Sequence, residues 1–358
     1  MPTSSCTVSF FRNDLQRARL WRGICPVKNC KVAIHKYKVP FGRYRYKMRY
    51  LPFCPEHGIR IHPTSFVYYN GPSDKDLALA TRRNLMFNAD YYISKFFNKA
   101  SKVESHRLCY ESSEDAVSYN VFTEFLLNGH TLRKLTKHIT GENTKGYVEL
   151  YLWGSKIDLK SDRHSTYKPL QSVRNQLESD IGIYKTEPDI MLIIPGRILI
   201  CIEAKFGSKN SLAKEKPAVQ SEKSKSRRSL IERYCTNNEI VESNKIFDLE
   251  GMSGRFHEQL FRNIVFASSM AELASIRKWY VVNLRSQHVM NLKRGKPESL
   301  PVVRNVCSML RPRYKKQFSH LTWEDIFENT IKGNDALHDL TWYMKNKTIN
   351  CQRAFNVI

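Results

Sequence analysis

The sequence has no apolar run near the roughly 18–20 residues that a bilayer span needs, which sets a transmembrane helix aside. Its opening residues carry charge early and lack the long apolar core of a signal peptide, so an intracellular protein is expected. No basic helix shows the broad apolar face of a membrane-surface anchor. No internal repeat is visible. Acidic residues are scarce: 34 Asp+Glu stand against 58 Lys+Arg, a formal net charge of +24. Such an excess calls for a polyanionic partner. The nine cysteines, an odd number, do not suit a disulfide framework and fit a reducing compartment.

What is present is enough for a core. The chain has 358 residues, 41% of them hydrophobic, which suits one large domain or two unequal ones. Charge gives the first division. Residues 1–62 hold thirteen Lys/Arg against Asp14 and Glu56, so +11 of the excess falls in that short stretch. A boundary is expected near residue 72, with a small basic module over 1–72 and the main domain over 73–358.

Within the main domain, apolar spacing predicts one or two helices over 74–102, then a helix after Ser112 or Ser113, either of which can cap it, up to Gly129. Residues 147–153 alternate toward a strand. Ile190–Ile194 and Ile198–Ile202 flank Pro195-Gly196-Arg197, the signature of a hairpin. Helical spacing returns over 256–273, and 279–283 form a short strand of buried type. Residues 207–229, rich in Ser and Lys, are expected to be a mobile basic insertion. The order predicts an α/β fold, a mixed sheet flanked by helices, with a small N-terminal β module.

Two knuckles mark the basic module. Cys25-Pro-Val-Lys-Asn-Cys30 and Cys54-Pro-Glu-His57 each present two ligands from a tight turn. Four borderline or soft ligands from two turns are what tetrahedral Zn²⁺ takes, and the pattern resembles a zinc ribbon with a longer first knuckle. His62 is an alternative fourth ligand, and His35 a weaker one. Between the knuckles, Arg43, Arg45, Lys47 and Arg49 alternate with aromatics and Met48. As a strand, these four cations share one face and can track a phosphate backbone.

The hairpin carries the sharpest signal. Its two apolar strands end in Asp189 and in Glu203-Ala204-Lys205. Burying such ions without partners costs several kcal/mol each, so a purely structural sheet would avoid them. A two-residue turn sets Asp189 opposite Ile202; one bulge residue, or a three-residue loop, sets it opposite Glu203. Either way two carboxylates meet at one end, and a divalent cation relieves their repulsion. Pro188-Asp189 followed by Glu203-Ala204-Lys205 resembles the PD-(D/E)XK, restriction-endonuclease-like nuclease superfamily. The resemblance covers about residues 111–283. It implies a restriction-endonuclease-like core and an endonuclease that hydrolyses phosphodiester bonds with Mg²⁺ or Mn²⁺. Asp189 and Glu203 would hold the metal, and Lys205 would position or deprotonate the attacking water. It further implies a carboxylate on a preceding helix, for which Glu114 is the best match and Glu124 and Glu111 weaker ones. Gln259 and Arg262, one turn apart on a later helix, are accessory candidates. DNA is the preferred substrate, RNA remaining open. Restriction or defence against foreign DNA is the natural setting, with a homodimer or a partner protein of a defence system. The competing expectation is a non-cleaving nucleic-acid-binding protein on a nuclease fold.

Overall fold

The three residues between Ile194 and Ile198 decide how the central hairpin closes. In a computed structural model, Ile194 pairs with Ile198, and Arg197 N donates to Ile194 O at 3.0 Å. Gly196 takes a left-handed φ of 67°, which a side chain would resist after Pro195. The structure describes residues 8–16, 24–32, 34, 51–62, 65–97, 107–143, 145–161, 165–181, 185–208, 210, 230–236, 239–242, 247–248, 251–252, 256–288 and 299–358. None of the described helices is long and apolar enough to cross a membrane.

The chain falls into two compact units. The first gathers residues 1–127, 286–289 and 330–358. Strands β1 (Phe53–Cys54), β2 (Ile59–His62) and β3 (Ser65–Tyr68) form an antiparallel ribbon. Helix α1 (Asp74–Arg82) begins at a capping box, in which Asp76 N donates to Ser73 Oγ and Ser73 N to Asp76 Oδ2. Helix α2 (Glu114–Leu127) starts where Ser113 Oγ accepts from Ala116 N, and it is buried on nearly every side. A C-terminal helix, His338–Asn346, and a hairpin, Thr348–Ile349 with Gln352–Arg353, complete the unit.

The boundary expected after residue 72 is not where the chain divides. The ribbon is too small to close its own core, which takes in Ala80, Cys109 and Cys351 beside Cys54, Ile59, Ile61 and Phe66.

The second unit gathers residues 128–285 and 290–329. After α3 (Gly129–Thr140) come β4 (Glu149–Leu152), β5 (Ser155–Lys156), α4 (Lys168–Leu177), β6 (Ile190–Ile194) and β7 (Ile198–Lys205). Then follow α5 (Glu258–Leu273), β8 (Lys278–Arg285), α6 (Ser299–Met309) and β9 (Phe318–Thr322). The six strands make one sheet in the order β9-β8-β7-β6-β4-β5. It is mixed: β7, β8 and β9 run parallel, while β4, β5 and β6 add antiparallel pairs. The expected α/β class with a mixed sheet and flanking helices is therefore what the chain forms. Met191, Ile193, Leu199, Cys201 and Val281 from the sheet meet Leu260, Phe261, Ile264 and Val265 of α5 in the unit's core.

Candidate metal centre and candidate active site

In the first unit, Cys25, Cys30, Cys54 and His57 converge, their ligand atoms all within 4.8 Å of one another. Cys25 Sγ lies 3.6 Å from His57 Nδ1, Cys54 Sγ 3.4 Å from the same nitrogen, and Cys30 Sγ 3.8 Å from Cys54 Sγ. Zn–S bonds of about 2.3 Å and Zn–N bonds of about 2.0–2.1 Å in a tetrahedron set S···S near ~3.8 Å and S···N near ~3.6 Å. The four groups thus have the spacing of a closed tetrahedral site and could hold a metal such as zinc.

Local sequence builds both knuckles. Asn29 adopts φ 62° and Cys30 N donates to Val27 O, turning the chain back between its two cysteines. Residues 14–16 brace that turn: Lys28 N donates to Asp14 O and Gln16 N to Pro26 O. At the second knuckle Gly58 takes φ 55°, and the Phe10 and His57 rings meet edge to face at 5.6 Å between centroids. Arg83, buried beyond the end of α1, donates to His57 O at 2.9 Å and Gly58 O at 2.7 Å. Neither Phe10 nor Arg83 carried a sequence signal for this role, because both reach the knuckle from distant segments.

Three thiols held this close share protons unequally. Its hydrogen bond with Cys25, aided by His57 and opposed by burial, holds the Cys54 thiol down at about 5. The same bond and burial push Cys25 well above the ordinary thiol range. His62 lies outside the group, at the end of β2, with its ring against Tyr110 at 6.3 Å. His35 and the Arg43, Arg45, Lys47, Arg49 stripe lie outside the described residues, as do residues 209 and 211–229 of the basic insertion.

In the second unit, the β6–β7 register runs from Ile194↔Ile198 to Ile190↔Ile202. One step further, Asp189 stands opposite Glu203, the alternative that a three-residue loop requires. Asp189 Oδ2 accepts from Ala204 N at 2.9 Å, and Asp189 O accepts from Trp153 N. Arg174 of α4 fixes the approach to β6, donating to Thr186 O at 2.8 Å and Glu187 Oε1 at 3.0 Å. Glu203 and Lys205 are both buried on one face of β7, with Lys205 Nζ 2.6 Å from Glu203 Oε1. Asn263 of α5 donates to the other oxygen, Oε2, at 2.9 Å. A buried carboxylate needs such partners, and here they also fix its direction.

The polar row continues across the parallel strands. Asn283 of β8 pairs in register with Glu203, and His320 of β9 with Asn283. Asn210 Nδ2 donates to Asn283 Oδ1 at 2.9 Å, and Asn283 Nδ2 meets His320 Nδ1 at 3.0 Å. Burial, with Arg285 nearby and Asp325 opposing, holds the His320 imidazole below its usual pKa. Asn263, Asn283 and His320 were not legible as site residues. Only their register with Glu203, or their helix packing over it, singles them out.

Arg262 does not share the carboxylate pair. It donates to Thr186 Oγ1 at 2.7 Å and Glu178 Oε1 at 3.2 Å. Glu178 is fully buried and also accepts from Thr186 N and Tyr234 OH, so this cluster ties α4 and α5 to the segment entering β6. Gln259 is exposed on the first turn of α5. Glu114 belongs to the first unit, half-buried at the start of α2, as does Glu124 near its end, where burial raises its pKa. Glu111 is buried in that unit and accepts from Cys351 N at 2.8 Å, a structural use. Compared with protein-family models, with curated proteins and with solved structures, the chain matches none.

Proposed function

We propose that the chain is a metal-dependent nuclease of the PD-(D/E)XK kind, cutting phosphodiester bonds in DNA, with a zinc-holding basic module that grips the nucleic acid. The observation that carries this is Asp189 one step beyond the Ile190↔Ile202 pair, its carboxylate bonded to Ala204 N beside Glu203, with Lys205 on the same face as Glu203. Both carboxylates offer hard oxygen donors, the ligand type that Mg²⁺ or Mn²⁺ prefers. Asp189 and Glu203 would hold the cation, which when bound lowers the pKa of a water and offsets charge on the phosphoryl oxygens. Lys205, buried and already directed at Glu203, would orient the attacking water and take up its developing charge. Asn263 keeps the Glu203 carboxylate from rotating away. The +24 charge and the +11 of residues 1–62 suit a phosphate-backbone substrate.

A second reading is a nucleic-acid-binding protein that does not cut. It is favoured by Glu203 having both oxygens engaged, one by Lys205 and one by Asn263. Incubating the protein with plasmid, single-stranded DNA and RNA, each with Mg²⁺ or Mn²⁺, separates the two. Cleavage of DNA that needs the divalent ion supports the nuclease; binding without cleavage of any substrate supports the second reading.

A further inference from the structure

One face of the Cys/His ribbon sets a cation against two aromatic rings. Phe53 of β1 pairs in register with Arg60 of β2, and Tyr69 follows β3 on the same face. The Arg60 guanidinium carbon lies 4.0 Å from the Tyr69 ring centroid and 5.4 Å from that of Phe53. The two rings meet edge to face at 5.6 Å. Arg60 Nη1 donates to Leu51 O at 3.1 Å, whereas its Nε is buried with no partner among the described residues. No carboxylate among the described residues pairs with it. All three side chains are half-buried, so the face is neither core nor free surface.

Such a cation differs from a surface arginine in two ways. Among the described residues its charge meets two rings and one carbonyl, so an anion is the partner its chemistry lacks. Its side chain is also already ordered by stacking, so less conformational entropy is lost when its planar fork meets two phosphate oxygens. The site also adjoins the Cys/His cluster: Cys54, the residue after Phe53, is one of its four members. We infer that Arg60, packed over the Tyr69 ring with Phe53 beside it, contacts the phosphate backbone of a nucleic-acid strand lying along this face of the ribbon. This rests on the nucleic-acid-binding half of the proposed function and is independent of cleavage.

The test uses the full-length zinc-loaded protein without added Mg²⁺, with fluorescein-labelled oligodeoxythymidine and a labelled duplex, by anisotropy across a salt series. Arg60→Gln is expected to weaken binding about tenfold at low salt. It should also reduce the slope of log K against log salt by about one, while zinc content stays unchanged. Arg60→Lys should retain the slope. Unchanged affinity and slope in a zinc-replete Arg60→Gln protein would overturn the inference, as would a wild-type protein that binds neither probe. If Arg60→Gln loses zinc, the Arg60 Nε–H resonance of the wild-type protein decides during titration with the same oligonucleotide: a shift supports the contact, and no shift overturns it. The nuclease reading fails separately, by absence of cleavage in a protein that still binds.

Discussion

Lys205 Nζ stands 2.6 Å from Glu203 Oε1, and both side chains are buried at the end of β7. Removing one partner of such a pair leaves an uncompensated buried charge, at a cost of about 3–5 kcal/mol. Lys205→Ala is therefore expected to lower the melting temperature as well as cleavage. Lys205→Met, which keeps most of the volume, should lose less packing but as much activity, on the order of 10²–10⁴-fold. Thermal melts and cleavage rates on the two variants check this.

Asn263 reaches Glu203 from another element, and on the proposed reading it aims the carboxylate at the metal. Asn263→Ala should cost about 1–3 kcal/mol, because Glu203 Oε2 loses its buried donor. Binding of Mn²⁺, measured by calorimetry, should weaken by about tenfold or more, as for other groups that orient a metal ligand.

For the metal centre, elemental analysis should find one zinc per chain. His57→Ala should lose it, and His62→Ala should retain it, since of these two histidines it is His57 that joins the three cysteines. Chelation should lower the melting temperature of the first unit, because the ribbon shares its small core with Ala80, Cys109 and Cys351.

Lys347 gives a pH test in the same unit. Burial, opposed by Glu111, lowers its pKa from the ordinary 10.5 to about 8. The unfolded chain then binds the proton more readily than the folded one between those values. The contribution to stability is present above the unfolded pKa and is lost as pH falls through about 8. Denaturant melts of wild type and Lys347→Met should therefore differ in slope between pH 8 and 10, with wild type gaining stability relative to the variant as pH rises.

Sequence periodicity made the hairpin legible, because two β-branched runs around Pro195-Gly196 permit little else. The loop length was not, since two or three residues between the strands both satisfy the pattern; the Ile194↔Ile198 pairing settles it and sets Asp189 opposite Glu203. The Cys25, Cys30, Cys54 and His57 cluster was legible because each pair sits in its own turn. His57 and His62 could be told apart only by the ribbon register, which carries His62 to the far end of β2. The division of the chain was hidden, because the ribbon completes its core with Cys351, nearly three hundred residues after Cys54. Arg262 shows the same limit: its helical position was plain, but its partner Glu178 is set by the packing of α4 against α5.

The most direct measurement is DNA cleavage by wild type and Asp189→Asn at matched Mg²⁺, with nucleic-acid affinity measured alongside. Asp189→Asn removes the charge proposed to hold the metal, at nearly constant shape. Loss of Mg²⁺-dependent cleavage with affinity intact is the predicted result; equal cleavage by the two proteins, or none by wild type while it still binds DNA, would contradict a nuclease centre at Asp189 and Glu203.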